Sequence, residues 1–318
     1  MKLALPNIIL APLAGCADLS FRLIAREHGA RFCYFEMLDS NALMYNLDNS
    51  SNADAINTIS KDQPIAAQIL GSEPEMTLKA AQKLLGLVKV SYLELNAACP
   101  VKKVIKKKAG AHLLRDPKML YKIIKKLSTN LELPITVKLR SGFHEENHKE
   151  IVDIAKNCQK NGASAIFIHG RTQDQGYKGA VDYKAIKAVK ESVDIPVIGS
   201  GNILSPQLAK RMFDETGCDG ILVARGSFGN PWIFKDIENY LTKGIEPKPI
   251  DLETRKKVLI KHLHFIEKYK NTKSKHLVGF LRKVAIWYTT SFKKSAEVRN
   301  KITFAKTREE IFDIIDSI

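Results

Sequence analysis

The stretch IPVIGSGNILSPQLAKRMFDETGCDGILVARG (195–226) contains the pattern that decides the fold. A short apolar, β-rich run (195–200) precedes a stretch with helical periodicity (205–215), and a second β-rich run (220–225) follows it. A helix between two continuously apolar strands places those strands parallel, in a sheet that is covered on both faces. This segment therefore predicts one strand–helix–strand unit of an α/β protein.

Six similar β-rich runs precede this unit. They are NIILAPL (7–13), RFCYFEML (31–38), PIAAQIL (64–70), SYLELN (91–96), PITVKLR (134–140) and SAIFIHG (164–170). Amphipathic stretches at 18–29, 75–87, 116–129, 145–160 and 182–192 separate most of them. Eight such units within about 240 residues predict a (β/α)8 TIM barrel. A doubly wound dinucleotide-binding sheet is disfavoured because no GxGxxG follows an early strand.

The pattern changes after Trp232. Pro247 and Pro249 mark a linker, and the residues from there to 318 have helical periodicity without a β-rich run. We expect residues 1–242 to form the barrel and residues 243–318 to form a smaller helical domain. This C-terminal part carries a net charge of +9 out of the +16 of the whole chain. It is interpreted as a basic module that binds RNA, with a helical cap carrying solvated lysines as the alternative.

Composition indicates the class of partner and the compartment. Fifty Lys and Arg against 34 Asp and Glu indicate a polyanionic partner, because phosphates attract clustered cations without base contacts. A basic surface with no dedicated partner is the alternative. Five cysteines without a CxxC pair argue against a disulfide framework and a cysteine-rich metal site. We therefore expect a cytoplasmic protein with reduced thiols, no metal and no membrane span.

Polar and small residues cluster where the predicted strands end. In a TIM barrel these C-terminal strand ends form the active site. The residues there are Ala11, Pro12, Leu13, Gln68, Asn96, Cys99, Lys138, Arg140, His169, Arg171, Ser200, Gly201, Asn202, Ala224 and Arg225. Glycine-rich turns after the last two strands expose backbone N–H groups, and an arginine there can supply a bidentate contact. These turns predict a site for a phosphate-bearing cofactor.

Three of these residues have more than one possible role. Lys138 either stabilises negative charge on a reduced cofactor or forms a structural ion pair, and His169 is either a ligand or a scaffold residue. Cys99 lies in a polar turn and can donate a proton as a thiol. Five lysines among the next nine positions favour the thiolate instead, unless they face RNA. The other four cysteines lie in helical or strand contexts that indicate packing.

Several strings together resemble the tRNA-dihydrouridine synthase family. They are APLAG (11–15), AAQILGSEP (66–74), LELNAACPVKKV (93–104), VKLRSGF (137–143), IHGRT (168–172), GSGNI (199–203), CDGILVARGSFGNPWIF (218–234) and FLRKVAIWY (280–288). The resemblance spans nearly the whole chain, and CPVKKV and GSEP favour the bacterial B-type branch. Ala98, Asn202 and Phe143 depart from the family's common Gly, Asp and Trp, but none of these changes removes a reacting group.

The resemblance implies a barrel that holds flavin mononucleotide (FMN) and a helical domain that grips tRNA. FMN would contact Ala11, Pro12, Leu13, Gln68, Lys138 and His169, with its phosphate at Ser200–Asn202 and Ala224–Arg225. Cys99 matches the family's general acid, Asn96 matches a residue that faces uracil, and NADPH or NADH would be the reductant. The residues expected to contact tRNA are Lys102, Lys103, Arg140, Arg171, Arg282, Lys283 and Arg299. We expect a monomer.

Two other functions stay open from the sequence. An FMN barrel that acts on a free pyrimidine, such as a dihydroorotate dehydrogenase, shares the ring chemistry but leaves the basic helical tail unexplained. A non-catalytic RNA-binding barrel disagrees with the joint presence of Cys99, Lys138, His169 and the phosphate turns. The sequence therefore favours reduction of the uridine C5–C6 bond in folded tRNA.

Overall fold

The computed structural model describes residues 5–45, 50–271, 274–290 and 294–318. Eight parallel strands follow the predicted β-rich runs. They are β1 (Ile8–Leu10), β2 (Cys33–Asp39), β3 (Ile65–Leu70), β4 (Leu93–Asn96), β5 (Ile135–Arg140), β6 (Ala165–His169), β7 (Val197–Ser200) and β8 (Gly220–Val223). Their hydrogen-bonded order is β1-β8-β7-β6-β5-β4-β3-β2. A 3.0 Å bond from the Leu10 N–H to the Phe32 carbonyl links β1 to the start of β2, so the predicted TIM barrel is confirmed.

Helices surround the strands. They are α1 (Leu19–Glu27), α2 (Ser40–Tyr45), α3 (Ser50–Ala55), α4 (Pro74–Leu85), α5 (Lys102–Lys106), α6 (Pro117–Asn130), α7 (His148–Lys160), α8 (Tyr183–Ser192), α9 (Pro206–Thr216) and α10 (Ile233–Lys243), with 3-10 turns at Ser60–Asp62, Gly110–Leu114 and Arg225–Ser227. Side chains of Asp18, Asp116 and Asp182 cap the first N–H groups of α1, α6 and α8. Each capped start follows a strand-end loop, so those loops gather at one face of the barrel.

Aromatic rings fill the interior of the barrel. The Phe32 and Tyr92 rings stack with centroids 5.3 Å apart, and the Tyr34 ring meets the Phe167 ring edge-on at 6.1 Å. These four residues belong to one buried apolar cluster with Ile9, Ala66 and Ile198. The interior is therefore a packed core, and the space for a ligand lies above it, at the C-terminal strand ends.

The chain ends in helices α11 (Leu252–Tyr269), α12 (Ser274–Tyr288), α13 (Ser295–Phe304) and α14 (Arg308–Asp316), as the helical periodicity predicted. Their apolar faces share a second core that includes Leu263, Leu281, Ile302 and Ile311, whereas α10 packs into the core of the barrel. No helix in the described part of the chain combines the length and apolarity that a bilayer span needs.

An aromatic cluster joins helices α11–α14, called the helical module below, to the barrel. The Trp287 ring of α12 stacks on the Phe228 ring, with centroids 4.4 Å apart, and meets the Phe21 ring of α1 edge-on at 5.8 Å. A Cβ atom on Gly229 would lie 2.1 Å from the Trp287 carbonyl oxygen. Glycine at this position therefore allows the two backbones to approach, and α12 packs directly beside the loop that follows β8.

Candidate active site

A cavity of about 440 Å³ opens at the C-terminal ends of the barrel strands. All eight strands or their following loops contribute to its wall. The predicted site residues that line it are Ala11, Pro12, Leu13, Gln68, Asn96, Cys99, Lys138, Arg140, His169, Ser200, Gly201, Asn202, Ala224 and Arg225. Those that lie outside it are Lys102, Lys103, Arg171, Arg282, Lys283 and Arg299. The structure therefore brings most of the predicted site together in one place.

The turn after β7 forms a cradle at one side of the cavity. Gly201 and Asn202 have φ angles of 129° and 51°, and a Cβ atom on Gly201 would lie 2.9 Å from Val181. Only glycine fits this backbone without strain. The exposed Arg225 guanidinium, from the turn after β8, lies 3.3 Å from the Asn202 side-chain oxygen. Sharply turned backbone beside an arginine fits a phosphate group.

A lysine and a histidine lie beside the cradle. The Lys138 ammonium donates to the Ser200 hydroxyl at 3.2 Å. Burial lowers the pKa of Lys138, and the nearby Glu94 carboxylate opposes that shift. Burial lowers the pKa of His169 far below its usual range, and the Arg140 and Lys138 cations add to the effect. His169 is therefore a neutral imidazole within a positively charged wall.

A chain of buried hydrogen bonds runs behind this wall. The Gln68 amide donates to the Glu94 carboxylate at 2.6 Å, and the Asn96 amide donates to the Gln68 oxygen at 2.7 Å. The Asn96 oxygen accepts from the backbone N–H groups of Ala98 at 2.9 Å and Cys99 at 2.8 Å. Sequence reasoning missed Glu94. The signal was its place two residues before Asn96, since alternate strand residues share a face.

Cys99 is half-buried, and its carbonyl accepts from the Ala111 N–H at 3.1 Å. Burial raises the pKa of the Cys99 thiol, although a hydrogen bond from the Val101 backbone and the Arg140 charge oppose the shift. The neighbouring lysines do not reverse this result, since Lys102 and Lys103 are exposed on α5. A raised pKa favours the thiol over the thiolate at neutral pH, and a thiol can donate a proton.

Two arginines that were predicted to contact tRNA bond to backbone carbonyls of the surrounding loops. Arg140 is buried and donates to the carbonyls of Ala98 at 2.6 Å and Thr172 at 2.8 Å. Arg171 is also buried and donates to the Gly179 carbonyl at 2.6 Å. Guanidinium groups bound to several backbone carbonyls stabilise the rim of the cavity. This placement favours a scaffold role for both arginines, and Arg140 also lines the cavity.

Three basic residues of the helical module were also predicted to contact tRNA. The Arg282 guanidinium donates to the Thr303 carbonyl at 2.9 Å, and that of Arg299 donates to the Thr289 carbonyl at 3.3 Å. The Lys283 ammonium donates to the carbonyl of Gly15. Since Ala14 and Cys16 on either side of Gly15 line the cavity, Lys283 connects the helical module to the cavity rim.

Two further residues at the cavity were not predicted. Cys16, which the sequence placed among the packing cysteines, is half-buried and lines the cavity, because the helix α1 begins three residues later than that residue and leaves it in the preceding loop. Tyr177 lies at the mouth, more than half exposed, with its ring 5.4 Å from the Arg225 guanidinium carbon and 5.7 Å from that of Arg140. Such a ring between two cations can stack against a planar ligand.

A group of potential metal ligands lies outside the cavity. Ligand-type atoms of Glu146, His148 and Asp182 lie within 4.8 Å of one another. His148 is hydrogen-bonded to Asp182 at 2.6 Å, and Asp182 caps α8 through the Ala185 N–H. These bonds give the cluster a structural role at two helix starts, and the absence of a metal cofactor stays a prediction.

Comparisons with known proteins find similar sequences and similar folds. The family model described as dihydrouridine synthase (Dus) matches residues 9–316. The tRNA-dihydrouridine synthase B of Shewanella oneidensis is 35% identical over 285 residues, which cover 89% of this chain and 86% of that protein. The protein of the same name from Pseudomonas aeruginosa is 34% identical, with coverage of 93% and 87%. An old yellow enzyme homologue from Zymomonas mobilis shares the fold, with a TM-score of 0.51, 11% identity and coverage of 78% and 92%.

Proposed function

The chain belongs to the dihydrouridine synthase family, and on that premise we propose that it reduces the C5–C6 bond of uridines in tRNA with FMN as cofactor and NADPH or NADH as reductant. The observation that carries the proposal is the cavity that brings together a thiol of raised pKa, a half-buried lysine and a turn suited to a phosphate. These are the groups that a flavin-dependent reduction of uracil requires.

The cavity residues fit FMN. The Gly201–Asn202 turn and the Arg225 guanidinium suit the phosphate, because sharply turned backbone exposes N–H groups beside a cation. The small residues Ala11 and Pro12 leave room for a flat ring system along the loop after β1. Lys138 lies where its positive charge can stabilise a reduced, electron-rich ring. A cavity of this volume lies within the range of cofactor sites.

The reduction needs a hydride at uracil C6 and a proton at C5. A bound, reduced flavin supplies the hydride. Cys99 supplies the proton from its thiol, and the resulting thiolate regains a proton from solvent before the next turnover. Asn96 lines the cavity beside Cys99, where it would lie against the uracil while its side-chain oxygen accepts from the Cys99 N–H. General acid catalysis of this kind accelerates a reaction by roughly 10²–10⁴-fold.

The tRNA is held outside the cavity in this proposal. A target base must leave its stack to enter a barrel mouth, and the RNA around it offers phosphates. Exposed lysines on α5, with the basic residues of the helical module, supply the countercharge. We therefore assign catalysis to residues 1–242 and tRNA binding mainly to residues 243–318 and the lysines of α5.

One experiment separates this function from the alternatives. The purified protein is reconstituted with FMN and given NADPH with unmodified tRNA transcript, free uridine or orotate. Dihydrouridine formed in the transcript, with no turnover of the free pyrimidines, supports the proposal. Turnover of orotate alone identifies a free-pyrimidine enzyme. Tight tRNA binding without FMN absorbance identifies a non-catalytic RNA-binding barrel.

A further inference from the structure

Glu94 is a fully buried carboxylate in the barrel interior, behind the cavity wall. One of its oxygens accepts from the Gln68 amide at 2.6 Å, and the other accepts from the Tyr34 hydroxyl at 3.1 Å. Burying a carboxylate in an apolar core is unfavourable unless strong hydrogen bonds or charges compensate for the lost hydration. A carboxylate at this position therefore calls for a role that an apolar residue could not fill.

The direction of the hydrogen-bond chain depends on Glu94. Burial raises the pKa of Glu94 to about 7, and the Lys138 charge and the Gln68 hydrogen bond oppose that shift. In its ionised form the carboxylate can only accept, so the Gln68 side chain must turn its NH₂ group towards it. The Gln68 oxygen then faces Asn96 and accepts from its NH₂ group at 2.7 Å. The Asn96 oxygen is left to accept from the backbone of Ala98 and Cys99. This series of hydrogen bonds thus begins at the Glu94 carboxylate, which accepts, and ends at backbone N–H groups, which donate. Each amide between them therefore has one consistent orientation.

Glu94 also acts on the charge of the wall. Lys138 pairs in register with Asn96 on the neighbouring strand, and Gln68 pairs with Glu94. The Glu94 carboxylate is the group that opposes the effect of burial on Lys138. The side chain at position 94 therefore influences both the amides and the cation that line the same cavity.

We propose that Glu94 is a positioning residue for the cavity wall, which orients Gln68 and Asn96 and thereby fixes the Cys99 turn. It touches neither cofactor nor substrate, and it acts through residues that do. The inference rests on the proposed function for the identity of the cofactor.

Two variants and a matched control test this role in the FMN-loaded enzyme. Glu94→Leu removes both the acceptor and the charge, whereas Glu94→Gln keeps an acceptor oxygen and removes only the charge. Thr136→Val changes the register neighbour of Glu94, whose buried hydroxyl has no hydrogen-bond partner among the described residues. FMN affinity, thermal unfolding, kcat and the KM for tRNA are measured for each protein.

We expect Glu94→Leu to lower FMN affinity and kcat by about 10–100-fold, because it leaves charged or amide groups unpaired. The KM for tRNA stays unchanged, since the RNA contacts lie outside the cavity. Glu94→Gln recovers a large part of both losses, and Thr136→Val matches the wild type. Equal FMN affinity and kcat in Glu94→Leu and the wild type would overturn the proposal.

Two other experimental outcomes also have a defined interpretation. If Glu94→Leu does not fold, Glu94→Gln decides: a fall in kcat of about 3-fold or more at constant KM supports the role, and wild-type values overturn it. If the wild type binds FMN but forms no dihydrouridine, the proposed function fails, whereas the FMN affinities of the variants still test Glu94.

Discussion

Cys16 and Cys99 line the same cavity, one from the loop after β1 and the other from the loop after β4, and both thiols are half-buried. Burial raises the pKa of each thiol. They differ in their anchoring, because the Cys99 N–H bonds to the Asn96 side chain at 2.8 Å, whereas the Cys16 N–H bonds to the Leu13 carbonyl of its own loop at 2.9 Å. The pair provides a matched test of which thiol is the proton donor.

We expect Cys99→Ala to bind FMN and to be reduced by NADPH at near wild-type rates, and to form dihydrouridine about 10²–10⁴-fold more slowly, because only the proton transfer is lost. Cys16→Ala should keep most of its activity. Stopped-flow reduction and single-turnover assays on tRNA separate the two steps. Near-normal turnover by Cys99→Ala would remove this cysteine from the mechanism.

The pH dependence of the tRNA step follows from the state of the Cys99 thiol. Because burial raises its pKa, the proton is retained to higher pH than in a free thiol. The rate of uridine reduction by the prereduced enzyme should therefore fall only above about 8.5, the usual value for cysteine. Single-turnover rates across the alkaline range check this expectation. A fall in rate centred below neutrality would indicate that the Cys99 thiol has already lost its proton at neutral pH, against this expectation.

Gly201→Ala should lower FMN affinity by more than about 10-fold, because the added Cβ would lie 2.9 Å from Val181 at a φ of 129°. Gly217→Ala is the control, since Gly217 also has a positive φ but has no atom within 4 Å of an added Cβ. It should lower the free energy of unfolding by about 1 kcal/mol and leave FMN affinity unchanged. Fluorescence titration and urea unfolding measure the two effects. Equal FMN affinity in all three proteins would exclude a cradle at Gly201.

Binding of tRNA should depend on the exposed lysines of α5. Lys102→Glu and Lys103→Glu should each reduce the slope of log affinity against log salt by roughly one unit, because each lost phosphate contact releases fewer counterions. Lys160→Glu is the control, since this exposed lysine ends α7 at the opposite face of the barrel. Fluorescence anisotropy between about 50 and 200 mM salt gives the slopes. Identical slopes for all three variants would show that α5 does not face RNA.

The helical module should lose stability at mildly acidic pH. His262 is buried against Tyr288, and burial lowers its pKa from 6.5 to about 4. The unfolded chain therefore binds a proton first as pH falls, so the contribution of His262 to stability is complete above 6.5 and is lost towards 4. The loss is at most about 3 kcal/mol. Urea unfolding of the wild type and His262→Gln at both ends of this range isolates the effect, and parallel pH profiles would contradict it.

The strands could be predicted because a sheet covered on both faces needs continuous apolar runs such as IPVIGS and GILVAR. The cavity followed from topology, since parallel strands deliver their C-terminal residues to one face. Partners could not be predicted in the same way. Arg140 and Arg171 were expected to contact tRNA, and no local sequence pattern indicates the backbone carbonyls that lie 2.6–2.9 Å from their guanidinium groups.

The partners of Glu94 could not be predicted from the sequence either. A single carboxylate within LELN gives no sign of its partners in the sequence, because Gln68 and Tyr34 lie on other strands. Tyr177 was missed since the segment between β6 and α8 has no periodic pattern, and its place at the mouth depends on tertiary contacts with Arg140 and Arg225.

The aromatic junction among Phe21, Phe228 and Trp287 has a consequence for biosynthesis. Phe21 leaves the ribosome among the first residues, whereas Trp287 follows some 270 residues later. At synthesis rates of about 5–20 residues per second, the nascent barrel exposes this face for roughly ten seconds or longer. During that interval the unfinished chain exposes an aromatic surface that is prone to aggregation until the last quarter of the chain covers it. Early translation stops would therefore yield aggregation-prone barrels, and substrates for chaperones, rather than a smaller working enzyme.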